Sequence, residues 1–275
     1  MNHLVEDFLQ GVDLRVGSTL VRVVEIEVYR FPDPYLHGQP EQKFQGRWYF
    51  HKSGNTEGPT GFKGGTYKGL DLTWGTSEAP GGFLIRSILA SDNLIEGPCK
   101  VVEFILAQTN CVSISELVSL SSEYPPRCDD VNFPLHLVDA VRRTDPLYSG
   151  PRVGLSYREE DLSKKYFGAN LRFTIYPHLS KNKFSLVLSF LQSKSPLADL
   201  IQLDQEDQTN PENPQKIVSE TDLDEYQLWA AMQTFKVNQK TIERWWSDFN
   251  QGRTQPIVGG STVPEQCRLY ASLWS

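Results

Sequence analysis

Residues 20–29, LVRVVEIEVY, constrain the fold more than any other stretch of the chain. Five of these ten residues are Val or Ile, whose branched Cβ disfavours a helix and suits a pleated surface. The stretch therefore reads as a strand. A period of two places Leu20, Val24, Ile26 and Val28 on an apolar face. Glu25, Glu27 and Tyr29 then share the opposite face. The segment RFPDPYLHG follows directly, and its two prolines stiffen a turn that returns His37 towards the strand end. On its own, a Glu on a strand face is most simply the wet side of a half-exposed sheet; the neighbouring turn offers a cleft lined by carboxylate, tyrosine and histidine instead.

The remaining pattern predicts an α+β protein with a curved, mostly antiparallel sheet and flanking helices. Residues 3–10 carry Leu4, Val5, Phe8 and Leu9 on one helical face. Residues 69–74 and 82–89 read as strands. A Gly-Pro start predicts a helix over 97–108. Residues 170–176 and 183–191 read as strands, the second with a helix as its alternative. The polar stretch 204–216 reads as a solvated loop. Helices are expected over 221–235 and 237–249, the latter docking through Trp245 and Trp246. This divides the chain into a core over 1–180 and a C-terminal elaboration over 181–275.

Several function classes fall away. No run of about 18 apolar residues exists, so no membrane partner is expected. Charges at Glu6, Asp7, Asp13 and Arg15 argue against a secretory leader. The four cysteines are far apart, which fits reduced thiols in an intracellular protein. The five histidines show no zinc spacing, and GNTEGPTGFKGGTYKG lacks the order of a phosphate loop. Neither a metal nor a cofactor is expected, and the chain is expected to be a monomer.

The net charge of −7 argues against nucleic acid only if it is evenly spread, and it is not. Residues 201–230 hold eight acids and one base, so the rest of the chain is neutral. Residues 28–70 hold six bases against three acids, together with nine aromatics. Such a segment suits stacked bases and a tracked phosphate backbone, with Arg47, Lys52, Lys63 and Lys68 as the cations. By composition alone it equally describes a loop-rich β region with core aromatics and solvated lysines. Arg86, in GGFLIRSIL, shares a strand face with Leu84 and Ile88. Its charge requires an anionic partner there, Glu27 or Asp71, unless it snorkels to water.

In order along residues 8–175, several segments resemble the alkyladenine (3-methyladenine) DNA glycosylases. The central one is Glu25-Ile26-Glu27-Val28-Tyr29, followed by Pro32-Asp33-Pro34 and His37. FLQGVDL, GRWYFHKSG, FLIRSI, GPCKVVEFI, PRVGLSY and LRFTI resemble further blocks of that family. The resemblance implies a monofunctional DNA glycosylase that flips a damaged purine out of DNA and hydrolyses its N-glycosidic bond. It implies Glu27 as the general base, with Arg86 orienting Glu27 or its water. Tyr29 and His37 would hold the base, attracting a cationic purine by about 0.5–2 kcal/mol.

Two departures stand out. The family's middle-strand tyrosines are missing, which leaves Phe62 or Tyr67 as the stacking ring. Asp71 occupies the place of the family's gating Asn, where an acid would change purine selection. Two alternatives accompany this reading: a catalytically silent relative that binds nucleic acid or a nucleobase, and an interaction protein using the acidic stretch and the C-terminal helices.

Overall fold

Residues 20–29 lie at the centre of an antiparallel sheet in a computed structural model that describes residues 2–54, 56–157, 161–181, 183–192, 225–254 and 263–274. The chain divides into two units. The first comprises residues 1–147 and 171–176. It contains α1 (Asn2–Gln10), β1 (Val12–Val16), β2 (Thr19–Arg30), β3 (Gln45–Phe50), β4 (Leu70–Trp74), β5 (Gly81–Ala90), β6 (Asn93–Glu96), α2 (Pro98–Gln108), α3 (Ile114–Ser119) and β7 (Leu135–Asp139). The chain then enters the second unit through β8 (Tyr148–Gly150) and α4 (Asp161–Phe167), and returns to the first for β9 (Arg172–Thr174). The first unit is thus α+β, with a curled antiparallel sheet in the order β3-β4-β5-β2-β1-β7. β6 lies beside β5, and β9 beside β2.

Two adjacent rows across this sheet explain both the core and the site. Val28, Phe83, Leu72 and Trp48 are cross-strand partners on β2, β5, β4 and β3, and all four are buried. Partners across a ladder point to the same face. Phe8 of α1 and Trp74 stack on Phe83, with ring centroids 5.7 and 5.6 Å away. Each fully buried apolar side chain on this face contributes about 1.5–3 kcal/mol. The next row is Glu27, Leu84, Asp71 and Tyr49, which points to the opposite face and is also buried. That face is polar yet withdrawn from water. The alternative of a wet face for the β2 glutamates therefore does not hold, since residues 23–28 are all buried.

The helix over 97–108 forms as expected. Gly97 precedes it at φ +109°, a conformation open to glycine, and Pro98 opens the first turn. Val101, Val102 and Ile105 are its buried residues.

The second unit comprises residues 148–170 and 177–275. It adds α5 (Phe184–Gln192), α6 (Glu225–Phe235), α7 (Gln239–Thr254) and α8 (Val263–Trp274). Of the two alternatives expected over 183–191, strand and helix, the helix forms as α5, with Phe184, Leu186, Val187, Leu188 and Leu191 all buried. A helix that is apolar all round fits such enclosure. Trp246 stacks on Phe249 at 5.3 Å. At Gly252 a Cβ would lie 2.1 Å from the Arg268 carbonyl oxygen, so the residue lets α7 and α8 cross closely. Lys183 donates to the Phe235 carbonyl at the end of α6, at 3.0 Å. The loop expected over 204–216 lies outside the described residues. Among the described residues, no helix is long and apolar enough to cross a membrane, and the four cysteines are free.

Candidate functional site

A register irregularity between β2 and β5 builds the first half of the site. Val23 faces Ile88, Glu25 faces Ser87 and Ile26 faces Ile85, so Arg86 has no strand partner of its own. Such bulges re-aim side chains. Here the consecutive residues Arg86 and Ser87 both reach Glu25: Arg86 Nε lies 3.3 Å from Oε1, and the Ser87 hydroxyl donates to Oε2 at 3.0 Å. Arg86 Nη1 also lies 3.2 Å from Glu27 Oε1. The Tyr29 hydroxyl donates to Glu27 Oε2 at 3.0 Å. From β9, Arg172 Nε donates to Glu25 Oε1 at 2.7 Å. Two carboxylates and two guanidinia thus balance in charge within a buried cluster.

Their mutual influence overrides their burial. Burial pushes the Glu25 carboxyl up, but Arg172 and Arg86, with the hydrogen bonds from Arg172 and Ser87, hold it below the usual carboxylate range. Burial likewise works against the Arg86 charge, but Glu27 and Glu25 hold that guanidinium above its ordinary pKa.

The second half lies two strands away, on β4, β3 and the segments after β2 and β3. Asp71 is a buried carboxylate with both oxygens engaged. His51 Nε2 donates to Oδ1 at 2.8 Å and Gln42 Nε2 donates to Oδ2 at 3.0 Å. His51 lies flat over Gly69, where a Cβ would meet the ring at 2.5 Å. His37 packs edge-on against His51, with centroids 4.3 Å apart. The Lys63 ammonium donates to His37 Nε2 at 3.2 Å, which leaves Nδ1–H to donate to the Tyr49 hydroxyl at 3.0 Å. At Gly82 a Cβ would stand 2.9 Å from Asp71 Oδ2, so glycine there makes room for the carboxylate beside Tyr29's strand partner position.

The sequence-expected residues are thus sorted. Glu27, Arg86 and Tyr29 form one cluster; His37 and Asp71 belong to another, joined through His51. The shared row Glu27–Leu84–Asp71–Tyr49 links the two. Phe62 packs edge-on against Phe50 at 6.3 Å and lies under Lys52, rather than against Tyr29 or His37. Tyr67 is 77% exposed. Asp71 is buried and turned inward to hold His51.

The four expected phosphate-tracking cations all have partners within the protein, but only Lys52 is withdrawn from the surface. Lys52 does not reach the surface: its ammonium is buried against Glu41 and the Thr56 and Gly58 carbonyls. Arg47 pairs with Glu123 at 2.9 Å and Lys68 with Glu103 at 3.0 Å, while Lys63 serves His37. Sequence reasoning missed His51, Tyr49, Gln42 and Glu25 as site members. The signal for them lay in strand register, since Tyr49 and His51 share a face two residues apart.

No family model matches the chain. "Uncharacterized protein L759" of Acanthamoeba polyphaga mimivirus is 33% identical to it over 174 residues, covering 56% of this chain and 78% of the viral protein. The chain belongs to the family of that viral protein. Membership in this family assigns no activity, so the chemistry rests on the site's own geometry. Among the described residues, no group of three or more His, Cys, Asp or Glu side chains is arranged to hold a metal ion.

The imidazole cluster makes stability depend on pH. Burial, and then His51, depress the His37 pKa to about 4 from its ordinary 6.5. The unfolded chain takes up this proton first as pH falls. Stability is therefore fully present above pH 6.5 and drains away towards pH 4, by at most about 3 kcal/mol. Urea melts of the native protein and His37→Asn across this range should show the native slope to be steeper. Equal slopes would rule the cluster out as its cause.

Proposed function

We propose that this protein is an N-glycosidase that releases a purine from a nucleic acid by water attack at C1′, with Glu27 as the general base. The observation that carries this is the carboxylate of Glu27, buried on a polar sheet face and oriented jointly by Arg86 and the Tyr29 hydroxyl. A carboxylate fixed on two sides suits the removal of a proton from water in one geometry, which typically supplies about 10²–10⁴ in rate. The ordered segments over residues 8–175 support the same chemistry. Arg86 positions Glu27.

The test uses duplex oligonucleotides carrying 7-methylguanine, hypoxanthine or ethenoadenine, with release scored as alkali-labile abasic sites. Glu27→Gln, which keeps the shape and the Tyr29 contact, should lower release at least about a hundredfold. Equal release by both proteins would defeat the proposal.

A second reading has a specific observation behind it. Lys52 is buried against Glu41 and Lys63 is engaged by His37, while Arg47 and Lys68 pair with the exposed carboxylates of Glu123 and Glu103. That favours a substrate with few phosphates, such as a free nucleoside or nucleobase, held in the same site. Competition of nucleosides against the oligonucleotides distinguishes the two, and binding without release would identify a silent binder.

A further inference from the structure

We infer that Lys63 is a nucleophilic amine that forms an imine with the open-chain aldehyde of a deoxyribose. This goes beyond the N-glycosidase reading and rests on it only for the choice of sugar, because hydrolysis at C1′ leaves a hemiacetal that opens to an aldehyde.

Geometry carries it. Residues 61–63 run antiparallel beside residues 51–53. The Ser53 N–H donates to the Gly61 carbonyl and the Lys63 N–H to the His51 carbonyl, each at 2.8 Å, and Lys52 and Phe62 are bridge partners. The root of the Lys63 side chain is therefore fixed. Among the described residues its amine has a single hydrogen-bond partner, His37 Nε2 at 3.2 Å. Lys52 is buried against Glu41 and Lys68 pairs with Glu103, but no described carboxylate lies within ion-pair distance of Lys63. Lys63 is partly exposed, so its amine is approached from solvent rather than through the buried row of Glu27 and Asp71.

The surroundings support a nucleophile. Burial pushes the Lys63 pKa down, against the pull of Asp71. A larger share of this amine then carries a free lone pair than on a lysine in open water, which is how lysines become Schiff-base nucleophiles. His37, with its pKa lowered to about 4, is neutral at pH 7. Its Nδ1–H donates to the Tyr49 hydroxyl, so Nε2 faces Lys63 as a proton acceptor.

The step balances. The Lys63 lone pair bonds to the aldehyde carbon and the carbonyl π pair moves to oxygen. His37 Nε2 passes one proton from the nitrogen to that oxygen, giving a carbinolamine. A second proton follows the same route as the C–O bond breaks and the nitrogen lone pair closes the C=N bond. One water leaves, and no oxidant or reductant is consumed. Glu27 belongs to the other cluster and takes no part.

The experiment mixes the native protein with a limiting amount of a duplex oligonucleotide carrying a preformed abasic site, or with free 2-deoxyribose. Sodium cyanoborohydride delivers hydride to the imine carbon and fixes the adduct as a secondary amine. Peptide mapping by mass should place the adduct on Lys63 in preference to the other lysines. Lys63→Arg, which keeps a cation beside His37, should lower trapping at least about tenfold. His37→Phe, which removes the proton acceptor, should slow trapping about tenfold. Adducts with the oligonucleotide assign the aldehyde of a nucleic acid; adducts with the free sugar alone assign a small aldose. No adduct with either, adducts spread evenly over exposed lysines, or trapping unchanged in the two variants would overturn the inference. The abasic site is supplied ready-made, so the two readings fail separately. Trapping on Lys63 without any base release removes the N-glycosidase reading and leaves the amine its role, and Glu27-dependent release without trapping does the reverse.

Discussion

Arg86→Met should cost about 3–5 kcal/mol of stability, because it removes a buried cation from between two carboxylates. Arg86 lies 3.3 Å from Glu25 and 3.2 Å from Glu27, with its side chain only 14% exposed. Arg172 still serves Glu25 in the variant, while Glu27 loses the guanidinium that lies 3.2 Å from it. At about 2–4 °C per kcal/mol, the melting temperature should drop by at least about 6 °C. Adding Glu27→Gln should restore a large part of the loss, since the pair then leaves one carboxylate and one guanidinium. A double-mutant cycle by urea unfolding measures this. If the two changes simply add, the guanidinium is not holding Glu27 in place.

Lys52→Met should have a comparable effect for a different reason. Lys52 is a basic residue in an aromatic-rich stretch, yet its ammonium is enclosed by Glu41 and the Thr56 and Gly58 carbonyls, and it lies over the Tyr124 and Phe62 rings at 5.1 and 5.9 Å. Without it, Glu41 keeps the Tyr124 hydroxyl at 2.7 Å but no cation, and two carbonyls lose a donor. The expected cost is again about 3–5 kcal/mol. Glu41→Gln in the same chain should recover part of it. The loop between Lys52 and Phe62 should become sensitive to protease in the single variant. A single variant as stable as the native protein would show that the ammonium is not what fixes the loop.

These two cations mark where sequence reasoning reached and where it stopped. β2, β5 and α2 were legible because β-branched alternation and a Gly-Pro helix start are local signals. The helix α5 was not, since KFSLVLSFL places apolar residues at both periods within nine positions. For the site, Glu27, Tyr29 and Arg86 could be grouped because two of them share a strand and the third needed an anion. Arg86 reaching Glu25 as well as Glu27 depends on a register irregularity that leaves no mark in composition. His51 looked like one scattered histidine among five; its link to Asp71 exists only once β3 is laid beside β4. Lys52 and Lys63 looked like surface charge because burial of a lysine is decided by distant partners rather than by neighbours in sequence.

The chain leaves the first unit after residue 147 and comes back for residues 171–176 alone. That brief return delivers Arg172, whose guanidinium completes the charge balance around Glu25 on the central strand. The N-terminal part is therefore not a module that can be cut free at its apparent end. A truncation at residue 147 would strip the buried Glu25 carboxylate of one of its two counter-ions and leave residues 25–27 of β2 without their β9 partners. Gene fusions and dissection experiments must carry the intervening polypeptide along, or replace it with a linker that still brings those six residues home.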